Sequence, residues 1–321
     1  MRARHQLTTL LLALSIAPFT QANDFVFGHV YEASHSHHKW AEWAADEIEK
    51  RSEGRHHIEV FPSSQLGNEV ELNEGLGLGT LDIIYTGNAF AGNAYPPIAL
   101  GSAPFVFRDF DHWIAYSKSD LFKELSQGYE ESTGHVPLGL IYFGQRHVTA
   151  NKPVLTPEDM QGMKIRVPDA PLLLMFPRAV GANPTPIAFS EVYLALQQGV
   201  VDGQENPLPI IRAMKFEEVQ SDISLTGHIY DSQPIIMSSN AWSSLSAEDQ
   251  ALFRDVFQEA AEQGSLDIQQ QEQDLVPWFQ EQGTQVHEVD REAFAEAVRP
   301  SLTGEDVGWT AEQYERLEAI E

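Results

Sequence analysis

The sequence predicts an α/β protein of two lobes, with a ligand cleft between the lobes and a long lobe-spanning C-terminal helix. Two rounds of alternating strand and helix patterns follow each other, as in an open, mostly parallel sheet covered by helices. No stretch is rich enough in proline and glycine to be a free linker, so we expect strands to join the lobes. A chain of 321 residues is also of a size that usually divides into two domains.

Residues 1–22 have the pattern of a secretory signal peptide. Arg2 and Arg4 open the chain, an apolar run extends from Leu7 to Phe19, and the small residue Ala22 precedes the predicted cleavage site. The apolar run is shorter than the roughly 20 residues that a membrane span needs, and no later segment is long and apolar enough to cross a bilayer. We therefore expect an exported protein that is not embedded in a membrane.

Composition narrows the possible partners. The formal net charge is −27, and removal of Arg2 and Arg4 would leave about −29 (−27 − 2). Such a charge repels nucleic acid, so we expect no nucleic-acid partner. The chain has no cysteine, which excludes disulfides and thiolate metal sites. An anionic ligand would need a local positive site inside this acidic envelope.

The first round of the pattern occupies the N-terminal part of the exported chain. Its predicted elements are a strand over 24–30, a helix over 37–51, a strand over 57–61, a helix opening at Leu66 and a strand over 81–85. Trp40, Ala44 and Ile48 recur at intervals of four, which places them on one face of the predicted helix. This part of the chain predicts the core of lobe I.

The second round predicts lobe II. Its elements are strands over 136–143, 164–167 and 200–203 and helices over 170–180 and 190–196. From 246 to 282 the pattern is one long, charged helix, with a kink expected at Pro277. The chain is expected to cross between lobes near Gly144. Lobe I would then comprise 23–144 plus 234–270, and lobe II 145–233 plus 271–321.

Segments that directly follow predicted strands are the candidate ligand contacts, because ligands of open α/β sheets bind beyond the carboxyl ends of the strands. These segments are 29–31, 86–88, 145–146, 166–169 and 205–206. Arg166 ends an otherwise apolar strand, and a guanidinium can hold a carboxylate through two parallel hydrogen bonds. A structural ion pair with one of the many carboxylates is the alternative role for this arginine.

Several segments resemble the signature of a known family. They are 162–168 (GMKIRVP), 181–186 (GANPTP) and 189–207 (FSEVYLALQQGVVDGQENP), and 61–67 (FPSSQLG) resembles the same family's second strand and turn. The chain is similar to the solute-binding subunits of tripartite ATP-independent periplasmic (TRAP) transporters of the dicarboxylate- and sialate-binding type. The resemblance covers essentially the whole exported chain. It implies a periplasmic binding protein fold without enzymatic activity or cofactor, a small organic carboxylate as ligand, and delivery to TRAP membrane subunits.

The resemblance also implies roles for individual residues. Arg166 would hold the ligand carboxylate, and Arg146 would be a second arginine facing the ligand. Asn206 would hydrogen-bond the carboxylate, and Phe189 would pack on the ligand. Further implied contacts are Asp169, Gln233 and, in lobe I, Glu69.

Departures from the sialate binders concern lobe I. Gly87 replaces an acidic residue, Phe90 replaces an arginine, and Val30 replaces an asparagine. Sialate is therefore not the expected ligand, and Phe189 in place of a tryptophan disfavours ectoine. The expected lobe I contacts are Glu69, Asn88 and His29, with Tyr31 and His35 close to them. Such polar groups suit the hydroxyls of a hexuronate or another sugar acid.

Other functions stay open. The ligand could be a C4-dicarboxylate or another small carboxylate, or the loaded protein could be the receptor partner of a sensor kinase. A periplasmic enzyme would need a nucleophile or a metal that the sequence does not supply. His35, His37 and His38 lie close together, but no HExxH pattern or cysteine accompanies them, so we expect a surface cluster and no metal site. We expect a monomer.

Overall fold

The computed structural model describes residues 23–304 and 307–321, so the predicted signal peptide, 1–22, lies outside the described residues. The strands are β1 (Asn23–Gly28), β2 (His56–Phe61), β3 (Ile83–Tyr85), β4 (Val136–Ala150), β5 (Lys164–Val167), β6 (Asn183–Pro186), β7 (Gly203–Pro207), β8 (Asp222–Met237) and β9 (Gln285–His287). The helices are α1 (Ser36–Arg51), α2 (Glu69–Leu78), α3 (Asn88–Ala91), α4 (Phe110–Ser117), α5 (Asp120–Thr133), α6 (Met175–Ala179), α7 (Val192–Gln197), α8 (Leu208–Ala213), α9 (Ser239–Ser244), α10 (Ala247–Glu281), α11 (Arg291–Val298) and α12 (Ala311–Glu318).

One mixed sheet extends through both lobes. Its strand order is β2-β1-β3-β8-β4-β7-β5-β6, with β9 paired to β8. The strands β1, β2 and β3 are parallel, as are β5, β6 and β7. Between these two groups lie β4 and β8, which run antiparallel to each other and to β7 and β3. The predicted α/β fold of two lobes is confirmed, because each parallel group corresponds to one round of the sequence pattern.

The long strands β4 and β8 connect the lobes. They pair from Val136 with Met237 to Ala150 with Asp222. The pairing is irregular between Tyr142 and Gly144, and again between Arg146 and Val148. An irregularity of this kind bends strands locally and disrupts their hydrogen bonding. We therefore propose that the lobes rotate about this region, with the lobe boundaries predicted above.

The start of α2 is held by reciprocal hydrogen bonds. The side chain of Asn68 accepts from the backbone N–H groups of Val70 and Glu71, while the carboxylate of Glu71 accepts from the N–H of Asn68. Such a capping box satisfies donors that the first helical turn leaves free. It also fixes the backbone of Glu69, the first residue of α2 and one of the predicted contacts.

Helix α10 confirms the predicted long C-terminal helix. It contains Pro277, begins after its cap Ser246, and packs along β4. The approach is close at Gly264, where an added Cβ would lie 2.4 Å from the Cδ1 of Ile141. Long as it is, α10 is too polar to be a membrane span, and none of the other helices in the described ranges could cross a bilayer either.

The structure differs from the sequence prediction mainly in the two connecting strands. β8 lies outside the predicted elements: its polar and apolar residues alternate only over 222–226, and nearly all of its residues are buried on both faces. β4 continues to Ala150, beyond the predicted end at 143. The helix predicted over 170–180 is a 3-10 turn, Pro171–Leu174, followed by the short α6. The predicted strand over 200–203 begins only at Gly203.

Gly144 is expected to tolerate no side chain. Its φ is +123°, and an added Cβ would lie 2.5 Å from the Cβ of Pro207. Gly144→Ala should lower the free energy of unfolding by about 2–5 kcal/mol, because backbone strain and overpacking act together. Gly162→Ala is the matched control: φ is +76° and nothing lies within 4 Å of its Cβ, so about 1 kcal/mol is expected. Urea unfolding measures both, and equal losses would contradict tight packing at Gly144.

Candidate functional site

A cavity of about 420 Å³, part of it open to solvent, lies between the lobes. The residues that line it are Tyr31, Glu69, Gly87, Ala89, Phe90, Phe143, Arg146, Arg166, Pro168, Leu173, Phe189, Asn206, Asp231 and Gln233. Six of the nine predicted contacts are among them, namely Arg166, Arg146, Asn206, Phe189, Glu69 and Gln233.

Arg166 supplies a buried positive charge that has no ion-pair partner within residues 23–304 and 307–321. Its Nε and Nη2 donate to the carbonyl oxygen of Ile187 at 3.0 and 2.7 Å. Its Nη1 is buried and has no hydrogen-bond partner among the described residues. Burial lowers the pKa of this guanidinium to about 10, against the opposing effect of Glu69 and Glu205, so the group remains protonated at neutral pH. The free nitrogen can donate two hydrogen bonds to a bound anion.

Arg146 also reaches the cavity, but two buried carboxylates more than balance its charge. Its Nη1 donates to Asp231 at 2.9 Å, and its Nη2 donates to the carboxylate of Glu205 at 2.7 Å. His228 contacts the other oxygen of Glu205 at 3.1 Å. Burial would raise the pKa of Glu205, but Arg146 and His228 outweigh it and hold this pKa at about 2. The group is a rigid wall of the cavity in which two carboxylates face one guanidinium, so its net charge is negative.

Asn206 connects this wall to β7. Its Nδ2 donates to the side chain of Gln204 at 2.6 Å, and its Oδ1 accepts from Arg146 at 3.4 Å. The first of these bonds fixes the orientation of the amide. One Nδ2 hydrogen remains for a ligand acceptor, since an amide nitrogen carries two.

The cavity lining also contains hydrogen-bond acceptors other than those that pair with Arg146. Burial raises the pKa of Glu69, although Arg166 acts in the opposite direction. The Oε1 of Gln233 is buried and has no partner in the described part of the chain. Tyr31 lies beside them, and burial raises the pKa of its hydroxyl well above 10. Because these groups are acceptors or neutral donors, they suit hydroxyl groups better than a second anion.

The three remaining predicted contacts lie outside the cavity lining. Asp169 is exposed and lines a separate groove at the mouth of the cleft, next to Glu69. Asn88 is fully buried and its amide approaches Gly101. His29 lies behind Tyr31, accepts from the Tyr31 N–H at 3.2 Å, and contacts His38 at 3.1 Å. A role for these three residues in ligand binding stays a prediction.

The histidine group is interior, so the expectation of a surface cluster is wrong. His35 and His37 are buried, and their rings, 4.9 Å apart, pack around Tyr31 with that of His29. Burial lowers the pKa of His29 and of His35 to about 3, so both are neutral at pH 7. Within residues 23–304 and 307–321, no three histidine or acidic side chains are arranged to hold a metal ion.

Sequence reasoning missed two lining residues that matter. Asp231, which pairs with Arg146, lies on β8, the strand that was not predicted. Phe143 is the last residue of the strand predicted over 136–143. Candidate ligand contacts were sought only after the ends of predicted strands, so the candidates there were 145–146 and Phe143 was missed. Its ring lies 5.2 Å from that of Tyr31 and forms part of the apolar wall.

The fold and the cavity together define a two-lobed solute-binding protein. Residues 27–305 match the family described as bacterial extracellular solute-binding protein, family 7. The chain belongs to this family, which comprises the solute-binding subunits of TRAP transporters and not enzymes.

Named relatives and solved structures agree with this assignment. The sialic acid-binding periplasmic protein SiaP of Vibrio cholerae is 35% identical over 301 residues, 94% of each chain. A TRAP periplasmic solute-binding protein from Roseobacter denitrificans with bound L-galactonate has a TM-score of 0.87 and 31% identity, covering 94% of this chain and 99% of the other. One from Sulfurospirillum deleyianum with bound succinate has a TM-score of 0.86 and 29% identity, covering 94% and 100%.

The buried neutral histidines should make stability fall with acid. For a histidine whose pKa is about 3 when folded and about 6.5 when unfolded, stability is lost as the pH falls from 6.5 towards 3. The loss approaches about 1.4 kcal/mol per pH unit for each group. His35→Asn keeps a capping side chain for α1 and should reduce the slope of unfolding free energy against pH by about that amount.

Chemical unfolding between pH 6.5 and 4.5 measures these slopes. His57→Asn is the matched control, because His57 is exposed on β2 and carries the same side chain. The control should keep the slope of the unaltered protein. A His35→Asn slope as steep as that of the control would rule out a neutral buried His35.

Proposed function

We propose that this protein captures a sugar acid in the periplasm and delivers it to TRAP membrane subunits. The ligand is a monocarboxylate with several hydroxyls, such as a hexuronate or an aldonate. The signal peptide, residues 1–22, directs export and is then removed, and the protein acts as a monomer without metal or cofactor. Rotation of the two lobes about β4 and β8 closes the cleft over the ligand.

The observation that carries this proposal is the unpartnered Nη1 of Arg166. A buried cation without a counter-ion is costly, and a ligand carboxylate would relieve that cost. Charge-assisted hydrogen bonds to a carboxylate are about twice as strong as neutral ones. Asn206 adds one donor on the same side of the cavity, while Phe189 offers a face to the carbon chain.

The preference for hydroxyls rests on two further lining residues of the cavity, Gln233 and Glu69. Gln233 has an acceptor without a donor, and Glu69 is a second acceptor when ionised. Sugar hydroxyls donate to both. A second ligand carboxylate would instead meet Glu69, and two neighbouring carboxylates cannot both ionise without cost.

A C4-dicarboxylate is the second candidate ligand. Burial raises the pKa of Glu69, and a protonated Glu69 could donate to a distal carboxylate. The related protein with bound succinate is in keeping with this alternative. The role of receptor partner for a sensor kinase would use the same cleft and the same ligand.

Thermal unfolding with a panel of acids tests the ligand class. Glucuronate, galacturonate, gluconate, L-galactonate, succinate and malate are compared at equal concentration. A ligand that binds only the folded protein raises the melting temperature, so at least one sugar acid should raise it more than either dicarboxylate. In the Glu69→Gln variant, the melting-temperature shifts with sugar acids and with dicarboxylates should be closer to each other, because the charge that repels a second ligand carboxylate is removed. Stronger stabilisation by succinate or malate than by every sugar acid would overturn the proposal.

Arg166→Lys should abolish most of the affinity without unfolding the protein. Lysine retains a charge but cannot donate to Ile187 and to a carboxylate in the geometry of a guanidinium. The expected loss is about 2–5 kcal/mol of binding free energy, measured by calorimetric titration with the most stabilising acid of the panel. Arg178→Lys makes the same change at an exposed position and should bind normally. Affinity of Arg166→Lys within about threefold of the control would contradict this role.

A further inference from the structure

The irregular region of β4 is held by helix α10 on both sides of Gly144. The backbone N–H of Tyr142 donates to the Oγ of Ser265 at 2.9 Å, and the N–H of Gln145 donates to the carboxyl group of Glu272. The regular hydrogen bonding between β4 and β8 is disrupted here, and these two N–H groups donate to side chains of α10 instead. The helix thus replaces the missing strand contacts at the point where β4 passes between the lobes.

Glu272 contacts both sides of the bend at once. One carboxyl oxygen accepts from the N–H of Gln145, and the other accepts from the hydroxyl of Tyr142 at 3.1 Å. Between these donors lies Gly144, whose added Cβ would come within 3.0 Å of the same carboxyl group. Rotation about Gly144 changes the separation of the two donors, so one carboxyl group cannot keep both in every lobe arrangement.

We propose that Glu272 is a positioning residue that sets the angle between the lobes by holding Tyr142 and Gln145 across Gly144. We call these three residues and Gly144 the hinge clamp. With the clamp closed, Arg146 is held one residue beyond Gln145, at the wall of the ligand cavity. The inference rests on lobe rotation about β4, and it is independent of which acid binds.

The clamp is sensitive to pH because Glu272 is buried and forms no ion pair with any residue that the structure describes. Burial raises the pKa of its carboxyl group to about 8, although its two hydrogen bonds act in the opposite direction. The titratable groups that face it are Tyr142 and Tyr230, whose rings stack 6.2 Å apart, and burial raises the pKa of both. The charged groups next to Tyr230 are Arg291 and Asp109.

The direction of the pH effect follows from proton linkage. When the clamp opens, water reaches the carboxyl group and its pKa falls towards the ordinary value for glutamate. The clamped form therefore binds the proton more tightly than the open form. Raising the pH towards 8 shifts the population to the open form by up to tenfold per pH unit, and the shift ends above pH 8.

Distance measurements between two spin labels test the clamp without any ligand. The chain has no cysteine, so Leu78→Cys on α2 and Leu194→Cys on α7 provide the label sites. Both positions are well exposed, at 79% and 53%, and they lie in different proposed lobes. In the otherwise unaltered protein, the ratio of long to short distances should rise at least about fivefold from pH 6 to 8 and then stay constant.

Three variants in the labelled protein make the test specific. Glu272→Gln keeps an acceptor for Gln145 and a group that can bond Tyr142, so short distances should dominate at every pH. Glu272→Leu should give long, broad distances at every pH. Asp267→Asn is the matched control, since Asp267 lies on the same helix but bonds Lys39 and Trp40 of α1, and it should reproduce the pH profile of the unaltered protein.

Two results would overturn the inference. One is a pH profile of Glu272→Gln equal to that of the unaltered protein, and the other is an unchanged distance distribution in Glu272→Leu at pH 6. If Glu272→Leu does not fold, the comparison of Glu272→Gln with Asp267→Asn decides alone. Because no acid is present in the sample, failure of the clamp and failure of the proposed ligand class are separate results.

Discussion

The guanidinium of Arg166 is the constraint on which the rest of the cleft depends. The side chain is 1% exposed, and two of its nitrogens are held by one backbone carbonyl, that of Ile187. A carbonyl dipole orients a cation but does not neutralise it, so the third nitrogen keeps an unbalanced charge in a place with little water. The pKa falls only to about 10, and the group therefore stays charged at neutral pH. This is how a chain of net charge −27 holds a local attraction for an anion.

The second arginine contrasts with the first, although both reach the same cavity. Arg146 is enclosed by the carboxylates of Glu205 and Asp231, and their two negative charges more than balance its positive charge inside the protein. A buried network of this kind is stable only when all its donors and acceptors are satisfied, and it is then rigid. We infer that Arg146 shapes the cavity wall while Arg166 provides the charge. The Nη1 of Arg166 is therefore the nitrogen that we expect to bind the ligand anion.

Motion and binding share the same two strands. β4 carries Gly144 and, two residues later, Arg146, while β8 carries Asp231 and Gln233 at the cavity. A change of angle at Gly144 therefore moves one wall of the site directly, without a long chain of intermediate contacts. Glu272 is placed to act on this step, because it touches β4 on both sides of the glycine. We therefore infer that α10 both packs on the sheet and controls the angle of β4 at Gly144.

The sequence by itself determined the α/β class, the two rounds of strands and helices, the long C-terminal helix and six of the residues that line the cavity. The fold features follow from local periodicity, and the six lining residues follow from the resemblance to the TRAP solute-binding subunits. Only the tertiary structure decided that β8 joins the lobes, that Asp231 pairs with Arg146, and that His35 is interior. The reason is physical: a strand buried on both faces keeps little alternation of polar and apolar residues along its length, and ion pairing and desolvation depend on residues that are distant in sequence.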